Sequence, residues 1–562
     1  MKKTTTPLYF LLIVMVLTTH FSFGQWNPNT AINTPVIRAN SNQIDLRMIK
    51  DGKGGTFIAW KDYRVGLPDI YIQRLDSMGN RMWDTSGVPI CTNPADQSTP
   101  AIISDGSGGA IVGFSDWRSG IERDVYAQRV DSTGAIQWTL DGVGVATKPV
   151  REHNEKLVSD GAGGAIVIFE QQVGGQWDIW AQRISHTGVI LWTAGGIPVC
   201  TVNANRQNPK VQSDGKGGVY VTWQDFRNLT DYNIYAQRIS GSGALLWGNN
   251  AIEICNAPGA QTDAKIDPDS TSGGVFIAWI DKRNGIDYDI YAQRVDSTGT
   301  SLWTNDGVPV CTATGNQSAS DIMANPRVNG FIATWKDDRA GNYDIYAQKI
   351  DMNGNQVWAA NGVPICTSAY DQLNPNILDD HADGAIIVWQ DSSFVDWNVK
   401  SQRISGNGMV QWTANGENVC TATGHQTSPK DCVDGKGGAI YAWQDTRITG
   451  LSDIYAHHLY SDGTPNMGIK ENYVNAEITT FPNPFSDNFT LTINLLADEK
   501  VTVTALDVLG QQVPMFISNP LIQQKGKHTI YISTDNTDVP NGIYFVKITG
   551  TGWLKTMKVL KG

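Results

Sequence analysis

Apolar and polar residues alternate in short runs along most of this chain, and Gly, Asp and Asn bound the runs. Alternation with a period of two predicts half-buried β-strands, and nothing before about residue 468 sustains the 3.6-residue period of a helix. Around residues 207–247 the pattern resolves into four strands, A to D. Strand A is Gln207–Ser213, B is Val219–Asp225, C is Asn233–Ser240, and D runs from Ala244. Gly-rich turns join A to B and C to D, where tight hairpins call for positive φ.

The same pattern recurs. GGVYVTWQDFRNLTDYNIYAQRISGSGALLW (217–247) is repeated as GGVFIAWIDKRNGIDYDIYAQRVDSTGTSLW (273–303). An aromatic residue stands at Trp60, Phe114, Phe169, Trp223, Trp279, Trp335, Trp389 and Trp443, spaced by 54 to 56 residues. A second tryptophan follows at Trp83, Trp138, Trp192, Trp247, Trp303, Trp358 and Trp412. The last repeat lacks it, and the missing member stands at Trp26. Four strands per repeat predict a propeller blade. The last repeat supplies strands A to C, and the segment after Trp26 supplies the fourth. The expected fold is all-β: an eight-bladed β-propeller over residues 25–468, its N-terminal strand closing the last blade. Such closure leaves no open sheet edge.

Composition narrows the function classes. The net charge is −12 and the pI is near 5.1, which excludes a generally basic nucleic-acid binder and a polybasic membrane patch. The two repeated positions account for 14 of the 19 tryptophans. Six of the seven cysteines (Cys91, Cys200, Cys255, Cys311, Cys366 and Cys420) occupy one repeat position. Equivalent positions on outer strands of neighbouring blades lie farther apart than a disulfide spans, so buried free thiols are expected. No zinc signature or Gly-x-Ser-x-Gly elbow occurs, so no cofactor is expected.

Residues 1–24 read as a secretory signal peptide. Lys2 and Lys3 precede an apolar Leu8–Leu17, and Ser22-Phe23-Gly24 offers a small-residue cleavage site before Gln25. No later stretch has the length and apolarity of a membrane helix, so no transmembrane segment is expected after signal removal.

The period stops after about Gly468. Four ordered blocks come next: NAEITTFPNPFSDNFTLTINL (475–495), ALDVLGQQV (505–513), VPNGIYFVKI (539–548) and KTMKVLKG (555–562). Over residues 473–562 they resemble the type A C-terminal sorting domain of the type IX secretion system, with Pro482, Asn483, Pro484, Gly510, Gln511, Gly542 and Tyr544 as the motif residues. The resemblance implies an Ig-like β-sandwich. It also implies the type IX machinery as partner, and passage through the periplasm to the surface of a Gram-negative bacterium or the medium.

Two repeated polar sets are candidate ligand positions. The B–C loops carry Asp-x-Arg as Asp62/Arg64, Asp116/Arg118, Asp225/Arg227, Asp281/Arg283, Asp337/Arg339 and Asp445/Arg447. Repeats three and seven depart from it, with Gln171/Val173 and Asp391/Ser393. An ion pair that clips each loop explains the motif as well as a ring of ligand pockets does. The second set opens strand A: Gln43, Gln97, Asn154, Gln207, Gln261, Gln317, Gln372 and Gln426. It is expected near the mouth of a central channel, bonding backbone amides or a sugar or peptide. The Asp-Gly-x-Gly-Gly turns at Asp51, Asp105, Asp160, Asp214 and Asp434 admit structural calcium as an alternative to plain hairpins, although they lack an EF-hand's spaced acids.

Regular repeats favour recognition of an extracellular glycan or protein over catalysis, because a catalytic centre is asymmetric. A polysaccharide hydrolase or lyase centred on repeats three and seven, and a structural adhesin, are the alternatives.

Overall fold

The computed structural model describes residues 26–562, apart from 393–394, 449, 466–475, 496–497, 499, 508–510, 519–520, 523, 536 and 551–552. The expected signal peptide, Ser393 and Gly510 lie outside the described residues. Every named element is a β-strand, and among the described residues no helix is long and apolar enough to cross a membrane. The chain divides into two compact units, Met1–Pro465 and Asn466–Gly562.

The first unit holds eight four-stranded antiparallel sheets of propeller-blade type. Seven take their strands from consecutive sequence. The eighth pairs Gln426–Val433, Ala439–Asp445 and Asp453–Leu459 with the N-terminal Thr34–Ile37, where Thr34 faces Ala456. Strand B is buried almost throughout (Ala110–Asp116 and Val219–Asp225 entirely), because it packs on both neighbouring sheets. The apolar clusters lie between successive sheets. One joins Leu46, Ile58 and Trp60 of the first sheet to Ile440, Ala442 and Ile454 of the eighth.

The repeated tryptophans hold sheet to sheet. The strand-B indoles fill these clusters. Each indole of the second set donates to a backbone carbonyl of the next sheet: Trp83 to Ser132 (3.3 Å), Trp138 to His186 (3.0 Å), Trp247 to Ser297 (3.2 Å), Trp412 to Ser461 (3.3 Å). Trp26 continues the series, donating to Ser77 of the first sheet at 3.0 Å. The ring also demands a glycine opposite. A Cβ on Gly79, which has φ +81°, would stand 2.8 Å from the Trp26 indole.

Strand D departs from expectation. In the fourth sheet it is Ile252–Cys255, whereas the segment after Ala244 makes a single bridge between Leu245 and Ile239. Trp247 therefore sits in the C–D connection. Gln237 holds it there, its Oε1 accepting from the Trp247 amide at 2.9 Å. Arg238, next to Gln237 at the end of strand C, binds the turn Asp214 at 2.9 Å, so this Gln-Arg pair is structural.

All seven cysteines are buried and free. They are more than small apolar fillers, since the sulfur of Cys91, Cys255, Cys311 and Cys420 accepts from the Asp-x-Arg arginine at 3.2–3.3 Å. Burial pushes the Cys311 and Cys420 thiols up to about 12.

The second unit has two four-stranded antiparallel sheets around one core that includes Phe489, Leu491, Ile493, Val503, Ile530 and Val546. Pro482 and Pro484 are exposed and flank Asn483, whose side chain bridges to the last strand. Its Nδ2 donates to the Lys558 carbonyl (2.8 Å), and its Oδ1 accepts from the Leu560 amide (2.9 Å). Tyr544 donates to the Pro540 carbonyl (2.6 Å), the Gln511 amide donates to Asp507 (2.9 Å), and Gly542 opens the strand Gly542–Gly550.

Candidate functional site

The site is built on strand A of the eight sheets. These strands are Gln43–Lys50, Gln97–Ser104, Glu152–Ser159, Arg206–Ser213, Gln261–Asp269, Gln317–Asn325, Gln372–Asp379 and Gln426–Val433. Register corrects the second polar set at two places. Gln43 faces Asp62 across the A–B ladder, and the residues in that position in the third and fourth sheets are Glu152 (facing Gln171) and Arg206 (facing Asp225). Asn154 and Gln207 fall two and one residues later. Similarity of residue type between repeats misleads here, because the ladder counts positions.

Gln43, Gln97, Gln261, Gln317, Gln372 and Gln426 are fully buried at the seams between sheets. Each donates its amide to a carbonyl just upstream, for example Gln97 to Asn93 at 3.0 Å, Gln261 to Gly259 at 2.7 Å and Gln426 to Gly424 at 2.8 Å. They shape the loop that enters strand A and do not stand at an open mouth.

The Asp-x-Arg pairs are likewise internal. Each aspartate is buried and binds its arginine at 2.5–2.7 Å. One oxygen also accepts the arginine's own amide, as Asp62 does from Arg64 at 2.9 Å. The guanidinium lies on a strand-C tyrosine, 3.6–4.0 Å from the ring centre, and reaches a carbonyl beyond, as Arg118 does at Asp141 (2.7 Å). Charge-assisted bonds made over an aromatic face make this a clip. In the seventh sheet Lys400 takes the arginine's part, 3.4 Å from Asp391. In the third, Lys148 donates to Gln171 at 3.3 Å, and Val173 is exposed. The turn aspartates considered for calcium are also occupied. Asp51 Oδ1 accepts from the amides of Lys53 and Gly55 (2.7 and 2.8 Å), and its Oδ2 from Arg74 (2.8 Å). Among the described residues, no three His, Cys, Asp or Glu gather as a metal site.

Two residues after the seam position, strand A bulges. Asp45, Thr99, Asn154, Asn208, Asp263, Asn374 and Ser428 all have φ between +46° and +57°, and the register shifts there in every sheet. Short polar side chains tolerate this backbone, and a bulge re-aims the residues after it. The equivalent position just past the bulge holds Arg47, Ala101, Lys156, Lys210, Lys265, Asp321, Asn376 and Lys430. Five of the eight are cationic in an acidic protein. The signal is legible in the sequence, four residues after each seam position, once the register of Glu152 and Arg206 is known.

Four of these positions, Lys265, Asp321, Asn376 and Lys430, border one space. A cavity of about 440 Å³ is lined from four sheets by Asp263 and Lys265, Ser320 and Asp321, Asn374 to Asn376, and Ser428 to Lys430. Charges at this level also act between sheets that are not neighbours, Arg47 on Lys156 and Lys265 on Lys430. Burial holds Lys156 down to about 8, and Lys210 and Arg47 add to the effect while Glu155 opposes it. Burial also lowers Lys430, with Arg47 and Lys265 adding to it and Asp431 and Asp321 opposing it. Compensation is partial: Asp263 lies 3.6 Å from Lys210 and 3.3 Å from Lys265.

The third sheet carries a separate feature. Burial pushes Glu152 up to about 8, with the Asp124 charge adding to it, and neither carboxyl oxygen has a side-chain hydrogen-bond partner. A carboxyl raised in the fold stabilises it fully below the unfolded value, and that contribution is lost as pH rises toward 8. Glu152→Gln, which installs the residue of six other sheets, is therefore expected to be near neutral at pH 4. At pH 8 it should stabilise by about 1–2 kcal/mol. Urea titrations at the two pH values measure this, and equal effects would contradict it.

Residues 479–561 match the family model described as a secretion system C-terminal sorting domain. The C-terminal unit is that sorting domain, and the chain is cargo of the type IX system. It is exported to the cell surface or secreted from a Gram-negative bacterium. Among solved structures, the chain is similar to a protein of unknown function from Dyadobacter fermentans (10% identity, TM-score 0.36, covering 76% of this chain and 96% of that one). It is also similar to an endo-arabinase from Bacteroides thetaiotaomicron (14%, 0.27, 49% and 98%) and an α-L-arabinanase from Penicillium chrysogenum (11%, 0.30, 67% and 95%). No curated protein matches the chain.

Proposed function

We propose that residues 25–468 form an eight-bladed β-propeller that binds an extracellular glycan or protein without transforming it. Residues 1–24 serve as signal peptide, and residues 473–562 form an Ig-like export sandwich. The observation that carries the reading is the convergence of strand-A side chains from several sheets on a single polar cavity. The glutamine and Asp-x-Arg sets act as its frame, fixing each loop so that the bulged residues hold their aim. Support for binding over catalysis comes from the regularity of the repeats, since a catalytic centre is asymmetric.

The test is a polysaccharide and protein array probed with the full chain, with an assay for reducing ends and unsaturated products run alongside. A dissociable ligand without turnover is expected. Clear turnover would replace the binder with an enzyme, and the absence of any ligand would leave the adhesive scaffold.

A further inference from the structure

We infer that the strand-A cavity is the centre of an anion site, and that the ligand is a sulfated or uronic-acid polysaccharide, whose acidic groups are held by Lys265 and Lys430 in the cavity and by Arg47, Lys156 and Lys210 at the same ladder position of three further sheets. This rests on the binding reading above and specifies its ligand.

The first support is arrangement. Five cations occupy the same ladder position of five sheets, aimed by the same backbone bulge. A charged residue scattered over a surface has no such equivalence.

The second is energetic. Lys156, Lys210 and Lys430 are held below the ordinary lysine range by burial, and other cations of this set add to the effect, so the arrangement opposes folding. Asp321 stands at the same level and Asp263 two residues before Lys265. The nearby acids Glu155 and Asp431 do not restore balance. Glu155 is buried and turned to the Thr99 and Ser115 hydroxyls, 2.8 Å from each. Burial pushes Asp431 up to about 7. A cationic cluster that its acids compensate only in part is a mark of a site kept for its ligand.

The third is the remaining lining. Ser320, Asn374, Asn376 and Ser428 offer hydroxyl and amide groups suited to sugar hydroxyls. A nucleic acid would call for aromatic stacking surfaces, and an acidic protein for an apolar patch. The cavity lining supplies no aromatic side chain, and Pro375 and Pro429 are its apolar members. Its volume suits a sugar unit or two of a chain.

The experiment measures binding of the full chain to a sulfated galactan, polygalacturonate, unsubstituted galactan and poly-glutamate by calorimetry. An acidic polysaccharide should bind at least about tenfold tighter than the neutral galactan. Affinity should also fall by at least about tenfold between about 0.05 M and 0.5 M salt, as screening shortens the reach of the charges. The triple variant Lys156→Gln/Lys265→Gln/Lys430→Gln should lose that affinity. The triple variant Lys53→Gln/Lys216→Gln/Lys436→Gln, which removes the same charge from the A–B turns, should keep it. Equal binding of neutral galactan, with full affinity in the cavity variant, would overturn the anion site and leave the glycan reading standing. Poly-glutamate binding as tightly as the acidic polysaccharides would overturn the choice of a glycan. No binding to any of the four would overturn both. The salt dependence of the unmodified chain keeps the inference testable if the cavity variant misfolds.

Discussion

Replacing Arg206 with alanine is expected to destabilise the first unit by about 3 kcal/mol, although Arg206 lines no part of the strand-A cavity. Arg206 is 1% exposed and stands where six other sheets have glutamine. Its Nε lies 3.1 Å from Asp225, and its Nη1 is hydrogen-bonded to Asp178 of the preceding sheet. Asp225 keeps Arg227 (2.6 Å) and the Trp223 indole (3.0 Å), so the damage falls on Asp178. That carboxyl would be left in the seam with the Ile179 amide at 2.8 Å. Its pKa is already raised by burial in spite of Arg206, and removing the arginine raises it further. The deficit should therefore be largest at neutral pH and shrink as pH falls below the ordinary carboxylate range, where Asp178 is protonated in both states. Arg206→Gln restores the pattern of the other seams and should cost about 1 kcal/mol. Paired denaturant titrations of the two variants at pH 4 and pH 7 decide this. Equal losses at both pH values would show that packing, and not the charge, sets the cost.

Trp26→Ala is expected to cost about 3–5 kcal/mol and to act on the eighth sheet first. In the other seven sheets the chain runs from strand C to strand D through a tryptophan-bearing connection. In the eighth that connection is cut, and Thr34–Ile37 is held by side contacts alone. These are its ladder to Asp453–Leu459, the Asn33 amide on the Val419 carbonyl (3.0 Å), Arg447 on the Ile32 carbonyl (2.6 Å) and Trp26 on Ser77 (3.0 Å). Trp26 is 1% exposed and packs on Gly79 and near His458. Without it, the N-terminal strand can leave and expose the edge of Asp453–Leu459, a template for pairing with other chains. Trp247→Ala removes the matching indole from the fourth sheet, where strands C and D remain covalently joined. It should destabilise less and leave the eighth sheet protected. Hydrogen exchange resolved by sheet separates the two. Uniform loss of protection in both variants would contradict a special role for the cut sheet.

Much of the fold was legible from local chemistry. Alternating runs, Gly turns and the tryptophan spacing identify four strands per repeat, because each depends on residues close in sequence. Trp26 even announces the strand that completes the eighth sheet. The sorting domain was legible for the same reason, through four ordered blocks. The candidate site was much less so. Glutamine recurs beside strand A, and residue type alone picks Asn154 and Gln207 in the third and fourth repeats. The ladder picks Glu152 and Arg206. The Asp-x-Arg motif is conspicuous in sequence, yet its charges are consumed inside the loops that carry it.

Short-range pattern alone carries the four strands per repeat, the repeat itself, the buried free thiols and the export route. Only the tertiary structure decided which polar residues face a common space. A left-handed residue in strand A shifts the ladder and sets Arg47, Lys156, Lys210, Lys265 and Lys430 at one position, where Lys265 and Lys430 border a common cavity. Their meeting depends on charges dozens to hundreds of residues apart, and no local pattern reports a distance between sheets.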